Sequence, residues 1–242
     1  MKTVNNLKEY LVLITLALFV TSCEQFELEE ENSTPQNEQV EGFKGRTHDS
    51  DFPIDDVEVK EALFHMTYSG DISEEEANAK FNLDVKSFMK DYKKNSKGFS
   101  TEWFYFIATH TGNQSNNNTD DDVFVVTRFN TNKGKINSHR TLNNWGDDRE
   151  KGDWDYYFFS TYYPNEAVSW VECDYVYIFL SGTDGWFITD LFVGVFPSFQ
   201  SASSYGYSKI VAYPNVWLDN PSSDPCCDSY KSSSSFGRLT FD

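Results

Sequence analysis

The sequence predicts an all-β fold: an antiparallel β-sandwich of two sheets with about four strands each, preceded by one amphipathic helix and a disordered N-terminal tether. Short runs of aromatic and β-branched residues with period-two alternation fill the chain from residue 102 onward. Clusters of Gly, Asn, Asp and Ser separate these runs, and no second long helical pattern lies between them. Aromatic residues, at 17% of the chain, supply the bulky side chains that a core between two sheets requires.

Length and charge limit the possible functions. The 242 residues fit one domain of ordinary size, or one all-β domain with a tail. With 38 acidic against 20 basic residues, the formal charge is −18. Affinity for phosphate backbones comes from Lys and Arg, so this charge argues against a nucleic-acid partner.

Residues 1–22 have the layout of a secretory signal peptide. Lys2 and Lys8 precede an apolar run over residues 10–20, which is shorter than the roughly 20 apolar residues that span a bilayer. The run ends in Val-Thr-Ser and then Cys23, which resembles the lipobox of bacterial lipoproteins. This resemblance implies cleavage before Cys23 and attachment of fatty acids such as palmitate to that residue. An ordinary signal peptide followed by a chance cysteine is the alternative.

Residues 23–50 are predicted to form an acidic, disordered tether. Five of residues 24–31 are Glu, and the stretch up to residue 50 is rich in Asn, Ser, Thr, Gln and Pro. Acidic residues directly behind a lipidated cysteine resemble the export signal that sends some lipoproteins to the outer face of the outer membrane. The resemblance implies a lipid-anchored protein exposed at the cell surface. A plain solvated linker is the alternative.

Residues 51–99 are predicted to be a helical N-terminal segment, with the helix between Ser73 and Gly98. Ser73 and Glu76 have the spacing of a capping box, and Gly98 is placed to end the helix. One apolar stripe recurs at helical spacing and predicts docking on the domain that follows. Its members are Phe81, Val85, Phe88, Met89 and Tyr92.

Residues 100–242 are predicted to form the sandwich. The predicted strands are residues 103–109, 123–129, 154–160, 175–180, 186–196 and 209–213. Trp186 opens the most apolar of these runs, which predicts a core position for its side chain.

Motifs that would identify an enzyme are missing from the sequence. It contains no Gly-x-Ser-x-Gly elbow, no His-Glu-x-x-His, no Walker-type loop and no dinucleotide-binding fingerprint. The 4 His residues are isolated from one another, which gives no support to a His-based triad or a zinc site. The sequence therefore predicts no catalytic residues. A hydrolase or lyase that acts on an extracellular polymer through an unrecognised carboxylate pair is the alternative.

Carboxylates cluster in two predicted turns and are candidate calcium ligands. The candidates are Asp120 and Asp122 in the first turn and Asp147, Asp148, Asp153 and Asp155 in the second. Calcium prefers several oxygen ligands on flexible loops. An EF-hand is excluded, because a loop starting at Asp147 would place Arg149 and Lys151 at ligand positions. The alternative is that these acids are solvated turn formers.

Lipidation of Cys23 would leave three cysteines in an oxidising envelope: Cys173 within a predicted strand, and the neighbouring Cys226 and Cys227. One of the last two would reach Cys173 if the terminal segment folds back along the sandwich, and a disulfide would then form. Three buried or unpaired thiols are the alternative.

Five stretches between residues 101 and 219 resemble the PLAT domain, also called LH2, which is known from lipoxygenases and some lipases. They are FYFIATHTG (104–112), TDDDVFV (119–125), GDWDYYF (152–158), GWFITDLFV (185–193) and YPNVWL (213–218). Three Asn residues at 116–118 stand where the family has glycines. The resemblance implies a non-catalytic, eight-stranded sandwich that binds membranes, lipids or protein partners, often with calcium held in loops. It also implies that Asp120 and Asp155, at the family's recurring Asp positions, are the first-choice calcium ligands.

These features together predict a surface-anchored lipoprotein that carries a PLAT-like binding module for a protein, glycan or lipid partner. Trp145 and Trp154, beside the second acidic turn, would suit stacking on a sugar or insertion among lipid headgroups. A core position for Trp154, which begins a predicted strand, is the alternative. A purely structural envelope component is a third interpretation.

Overall fold

The computed structural model describes residues 59–95, 102–142, 149–181, 183–196, 207–219 and 228–241. Within them lie the helix α1 (Glu74–Asn95) and twelve strands. The strands are β1 (Phe64–Tyr68), β2 (Glu102–Thr111), β3 (Asp122–Thr131), β4 (Gly134–Thr141), β5 (Trp154–Tyr162), β6 (Trp170–Ser181), β7 (Trp186–Phe196), β8 (Ser208–Ala212), β9 (Val216–Leu218), β10 (Asp228–Ser232), β11 (Ser235–Gly237) and β12 (Leu239–Thr240). The signal peptide with its Cys23 and the tether predicted for residues 1–50 lie outside the described residues.

The strands form two antiparallel sheets. The seven-stranded sheet has the order β1-β5-β2-β7-β8-β11, and β9 also pairs with β7. The five-stranded sheet has the order β10-β6-β3-β4, and β12 also pairs with β6. The all-β antiparallel sandwich is therefore confirmed, although each sheet has more strands than the sequence predicts.

The main core lies between the two sheets, because alternation along each strand turns one set of side chains inward. From the seven-stranded sheet, Trp103 and Tyr105 point into this core, and Val176 and Ile178 meet them from the five-stranded sheet. Trp186 belongs to the same cluster and is 0% exposed, which confirms its predicted core position. The large aromatic content of the sequence is thus used mainly to fill the interior.

α1 packs on the outer face of the seven-stranded sheet. Its N-terminus is capped as predicted, because Ser73 Oγ accepts a hydrogen bond from the backbone N–H of Glu76 at 3.2 Å. The predicted apolar stripe faces the sheet: Phe81 is 1% exposed, and its ring centroid lies 4.7 Å from that of Tyr156 on β5. Docking of the helix on the sandwich is confirmed. No helix among the described residues is long and apolar enough to cross a membrane.

Six strands lie outside the runs predicted from the sequence: β1, β4, β9, β10, β11 and β12. β1 lies inside the segment predicted to be helical and pairs antiparallel with β5, from Phe64 opposite Phe158 to Tyr68 opposite Trp154. β4 is polar, and its pairing with β3 is what makes it a strand. Both strands use backbone partners that the sheet supplies, so residues 51–99 contribute an edge strand to the sandwich as well as a helix.

Candidate functional site

One end of the sandwich gathers the loops that carry the candidate residues, and we call this surface the loop end. It comprises residues 112–121 between β2 and β3, residues 149–153 before β5, residues 183–185 before β7, and Asp219 after β9. Backbone hydrogen bonds join these loops. Gly112 N–H donates to Phe187 O at 2.8 Å, and Phe187 N–H donates to Asn117 O at 3.2 Å. The loops therefore form one connected surface.

The buried side chain of Arg149 holds the loops of the loop end together through hydrogen bonds. Its side chain is 2% exposed, and its φ of 58° lies in the left-handed region that few non-glycine residues adopt. Nη1 donates to Leu142 O at 2.8 Å, and Nη2 donates to Asp121 O at 3.1 Å. Its guanidinium carbon also lies 5.9 Å from the ring centroid of Trp186. Sequence reasoning treated Arg149 only as a residue that breaks an EF-hand, because nothing in its local sequence indicates burial.

Asp155, a first-choice calcium ligand in the sequence analysis, lies at the centre of a buried hydrogen-bond network. It is 0% exposed. Its Oδ1 accepts hydrogen bonds from Thr67 Oγ1 at 2.7 Å and His65 Nε2 at 3.0 Å, and its Oδ2 accepts one from the backbone N–H of Arg149 at 2.9 Å. Protein donors thus occupy both oxygens, and this side chain does not fit a calcium ligand on an exposed loop. Asp155 instead ties β1 and β5 to the loop end.

Hydrogen bonds from backbone N–H groups to carboxylates link three acidic residues at the loop end. Asp184 Oδ2 accepts a hydrogen bond from the Asp120 N–H at 3.2 Å, and Asp121 Oδ2 accepts one from the Asp184 N–H at 2.6 Å. The exposed Asp120 was a predicted ligand, whereas Asp121 and Asp184 were not. Asp184 lies 63 residues beyond Asp121 in the chain, so only the fold brings the two together.

The remaining predicted calcium ligands are dispersed. Asp122 is exposed at the first position of β3, and Asp153 Oδ1 accepts a hydrogen bond from the Gly70 N–H at 3.1 Å. Asp147 and Asp148 lie outside the described residues. Within the part of the chain that the structure describes, no three His, Cys, Asp or Glu side chains converge closely enough to hold a metal ion. Calcium binding therefore stays a prediction.

An exposed tryptophan, packed on a half-buried phenylalanine, lies beside the loop that precedes β7. Trp217 is 41% exposed, and its ring centroid lies 5.2 Å from that of Phe187 on β7. A Cβ placed on Gly185 would lie 3.5 Å from the Trp217 ring and 3.6 Å from the Cβ of Asp219. The ring therefore adjoins the loop that carries Asp184. Sequence reasoning missed Trp217 as a site residue, although the alternation within β9 is the signal that turns it outward.

Trp154 is buried, so its predicted exposure is wrong and the core alternative holds. It is 4% exposed. Its ring stacks on His110 with 4.3 Å between centroids, and lies 5.9 Å from the ring of Phe192. As the first residue of β5, Trp154 faces the apolar layer between the seven-stranded sheet and α1. Trp145, the other predicted stacking residue, lies outside the described residues.

The polar group around His110 has the residue types of a catalytic triad but a different geometry. His110 Nδ1 lies 2.8 Å from Asp190 Oδ2 and 2.9 Å from Thr189 Oγ1. Its Nε2 lies 3.2 Å from Gly152 O, to which it donates. A proton relay needs the hydroxyl and the carboxylate on opposite ring nitrogens, whereas here both meet Nδ1. His110 therefore links β2 and β7 to the loop end through hydrogen bonds. Its neighbours are not arranged as those of the base in a catalytic triad.

Cys173 is a free thiol that faces the interior core and is 2% exposed. Because this thiol is free and packed among core side chains, the structure does not contain the predicted disulfide from Cys173. Burial raises the pKa of the Cys173 thiol above its ordinary value. Cys226 and Cys227 lie outside the described residues.

Comparisons with known proteins give similarity to solved structures alone. No family model and no curated protein matches the chain. The alpha-toxin of Clostridium perfringens is 17% identical, with a TM-score of 0.36 over 60% of this chain and 35% of the toxin. The alpha toxin of Clostridium absonum is 15% identical, with a TM-score of 0.36 over the same shares of the two chains. An engineered LOX is 14% identical, with a TM-score of 0.34 over 53% of this chain and 16% of LOX.

The chain thus spans between 16% and 35% of the length of these proteins. Similarity at this level assigns no family. The sandwich described above rests on the pairing of this chain's own strands.

Proposed function

We propose that this chain is a lipid-anchored protein of the outer membrane, exposed at the cell surface, that carries a non-catalytic, PLAT-like binding module. Cys23 would hold the lipid, and the acidic tether would hold the sandwich away from the bilayer. The loop end would then be free to bind a protein, glycan or lipid partner. The PLAT-like pattern of the five sequence stretches supports a binding role.

One observation carries the binding proposal: an exposed aromatic ring stands beside exposed carboxylates on a braced surface. Trp217 offers a flat apolar face at 41% exposure, with Phe187 behind it. The exposed residues Asp184 and Asp219 lie in the adjoining loops, since Gly185, next to Asp184, packs near both the Trp217 ring and the Cβ of Asp219. Arg149 and Asp155 hold the loops from below. Flat rings with adjacent polar groups suit stacking recognition, because each loses little side-chain entropy on binding.

Calcium would bind at the loop end through Asp120, Asp121 and Asp184, whose side chains would have to shift toward one another, because no three described acidic side chains converge on a metal position in this structure. One oxygen of Asp121 and one of Asp184 each accept a backbone N–H, which orients the carboxylates and leaves their second oxygens without a hydrogen bond to any described residue. Asn117, in the same loop as Asp120, is 0% exposed, and its side-chain amide has no hydrogen-bond partner among the described residues. Bound calcium would supply positive charge that offsets the repulsion among these carboxylates.

Glycan-array and vesicle-flotation measurements test the binding proposal, each in calcium and in chelator. We expect Trp217→Ala to lose binding roughly fivefold, since stacking on an aromatic ring contributes on the order of 1 kcal/mol. Phe236→Ala is the matched control, because Phe236 is 50% exposed on β11, away from the loop end. Equal binding by both variants, or no binding by the wild type to any glycan or vesicle, contradicts the proposal.

Metabolic labelling with palmitate tests the anchor. We expect label on the wild-type chain and none on Cys23→Ser, which would remain uncleaved or become soluble. Cys226→Ser is the control that keeps the label. Label that persists on Cys23→Ser shows that another residue is acylated.

A further inference from the structure

A cleft opens between the two sheets along one side of the sandwich, and we call it the side cleft. It lies where β4, the outermost strand in the order of the five-stranded sheet, faces β5 of the seven-stranded sheet. Its volume of about 460 Å³ falls within the range of small-molecule sites, roughly 300–1,000 Å³. Its walls come from residues 136–140 of β4, residues 160–162 of β5, Lys60, Tyr92 of α1, Glu102 of β2 and Pro164.

The chain segment before β1 crosses from one sheet to the other beside the side cleft. At the five-stranded sheet, Lys60 N–H donates to His139 O at 3.4 Å, and Thr141 N–H donates to Lys60 O at 3.2 Å. At the seven-stranded sheet, Leu63 N–H donates to Phe158 O at 2.8 Å. Backbone hydrogen bonds to both sheets therefore fix the walls of the cleft, so a ligand would enter a preformed site.

Arg140 of β4 is a buried cation in the lining of the side cleft, at 8% exposure. Its Nη1 donates to His139 O at 2.9 Å, and its Nη2 donates to Ser160 O of β5 at 2.6 Å. These bonds use two of the five N–H donors of a guanidinium. A third neighbour is the hydroxyl of Tyr105, which stays neutral because burial raises its pKa above the ordinary value. These contacts position the guanidinium without neutralising its charge.

The lining of the side cleft carries an excess of positive charge. Among the residues that the structure describes, no carboxylate forms an ion pair with Arg140. Lys60 is a second cation of the lining, and Glu102, whose Oε1 accepts a hydrogen bond from the Tyr92 hydroxyl at 3.3 Å, is its one acidic residue. Two cations thus face one anion in a chain whose formal charge is −18. A buried charge is costly unless it is paired, so an anion is the occupant that this lining favours.

We propose that the side cleft binds a small hydroxylated anion of the chemical class of acidic sugars, with its carboxylate or phosphate group at Arg140. A guanidinium suits either group, because its planar N–H donors match two oxygens at once. The exposed Lys60 adds a second attraction for the negative charge. Ser160 and Thr161 supply hydroxyl partners for the sugar hydroxyls, and the ring of Tyr92 supplies an apolar face.

This proposal is independent of the loop end and of the lipid anchor. Glu102 begins β2, whereas the loop end follows Thr111, the last residue of the same strand. The side cleft and the loop end have no lining residue in common. A ligand at Arg140 would therefore bind whether or not the loop end has a partner.

Isothermal titration calorimetry of the full chain with glucuronate, glucose 6-phosphate and uncharged glucose tests the proposal. We expect at least one of the two anions to bind roughly tenfold or more tightly than glucose, since charge-assisted hydrogen bonds are stronger than neutral ones. Binding of glucuronate alone identifies a carboxylate ligand, and binding of glucose 6-phosphate alone identifies a phosphate ligand. No binding of either anion at millimolar concentration, or equal binding of glucose, overturns the proposal.

Substitutions locate the bound anion. We expect Arg140→Gln to weaken binding roughly tenfold or more, and Glu102→Gln to strengthen it roughly twofold to fivefold, because a like charge is removed. Arg238→Gln is the matched control, since Arg238 lies outside the side cleft and pairs with Glu172 at 2.6 Å. Equal binding by Arg140→Gln and Arg238→Gln overturns the proposal.

Thermal melting shows whether Arg140→Gln is folded. If it is unfolded, Glu102→Gln decides, and anion binding that is unchanged or weaker in that variant overturns the proposal. Trp217→Ala, at the loop end, should bind the anion as the wild type does. Loss of anion binding in Trp217→Ala would instead assign the anion to the loop end and overturn the assignment to the side cleft.

Discussion

The substitution Asp155→Ala distinguishes between two roles of this carboxylate: an acceptor in a buried hydrogen-bond network, and a calcium ligand. The side chain is fully buried and accepts hydrogen bonds from Thr67, His65 and the backbone of Arg149. Its loss would leave three buried donors without an acceptor. Each unsatisfied donor costs on the order of 1–3 kcal/mol, and loss of one partner from a buried charged network costs about 3–5 kcal/mol. We therefore expect Asp155→Ala to lower the free energy of unfolding by about 4 kcal/mol.

Urea or thermal unfolding in chelator measures this loss without any contribution from calcium. For a domain of this size, about 4 kcal/mol corresponds to a fall in melting temperature of roughly 8–15 °C. Asp120→Ala is the matched control, because Asp120 is exposed and should change stability by no more than about 0.5 kcal/mol in chelator.

A calcium ligand would behave in the opposite way. Its loss would change stability little in chelator and would abolish any rise in melting temperature with calcium concentration. If Asp155→Ala melts within a degree or two of the wild type in chelator, the buried network contributes little and our assignment of Asp155 is refuted.

Three further predictions follow from buried groups. Trp186→Ala should cost about 3–5 kcal/mol in chemical unfolding, because Trp186 is 0% exposed and donates to Thr111 Oγ1 at 2.9 Å; a near-normal midpoint contradicts this. Burial raises the pKa of Cys173, so iodoacetamide should label this thiol only after unfolding, and rapid labelling of the native chain would contradict its burial. Burial, assisted by the hydrogen bond to Asp84, raises the pKa of Tyr68 above 10.0. The unfolded chain therefore loses this proton first, and stability should fall by up to about 1.4 kcal/mol per pH unit above about pH 10, with a smaller slope in Tyr68→Phe.

The elements with strong local patterns were predictable. The helix follows from the cap at Ser73 and the stripe through Phe81, since cap and periodicity act within a few residues. The apolar strands follow from alternation for the same reason. β1, β4 and the short strands β9 to β12 escaped prediction, because their pairing energy comes from neighbouring strands and leaves little trace in their own composition.

The candidate site was predictable only in outline. The first acidic turn does lie at the loop end, since Asp120 is in the loop before β3. The individual roles were not visible. Asp155 and Trp154 each turned inward. Asp184 came to lie beside the Asp120 loop, and Trp217, 33 positions further along the chain, beside Gly185. Whether a carboxylate is solvated or buried depends on which donors from distant strands surround it.

The sequence by itself determined the class of the fold, the position of the helix and the end of the sandwich where charge gathers, because period, capping and composition are local properties. Only the tertiary structure decided that Arg149 braces the loops, that Asp155 serves a buried network and that Trp217 is exposed. Those outcomes depend on pairing between strands far apart in the chain. Strand register sets which side chains turn inward, and the register is a property of the assembled sheets.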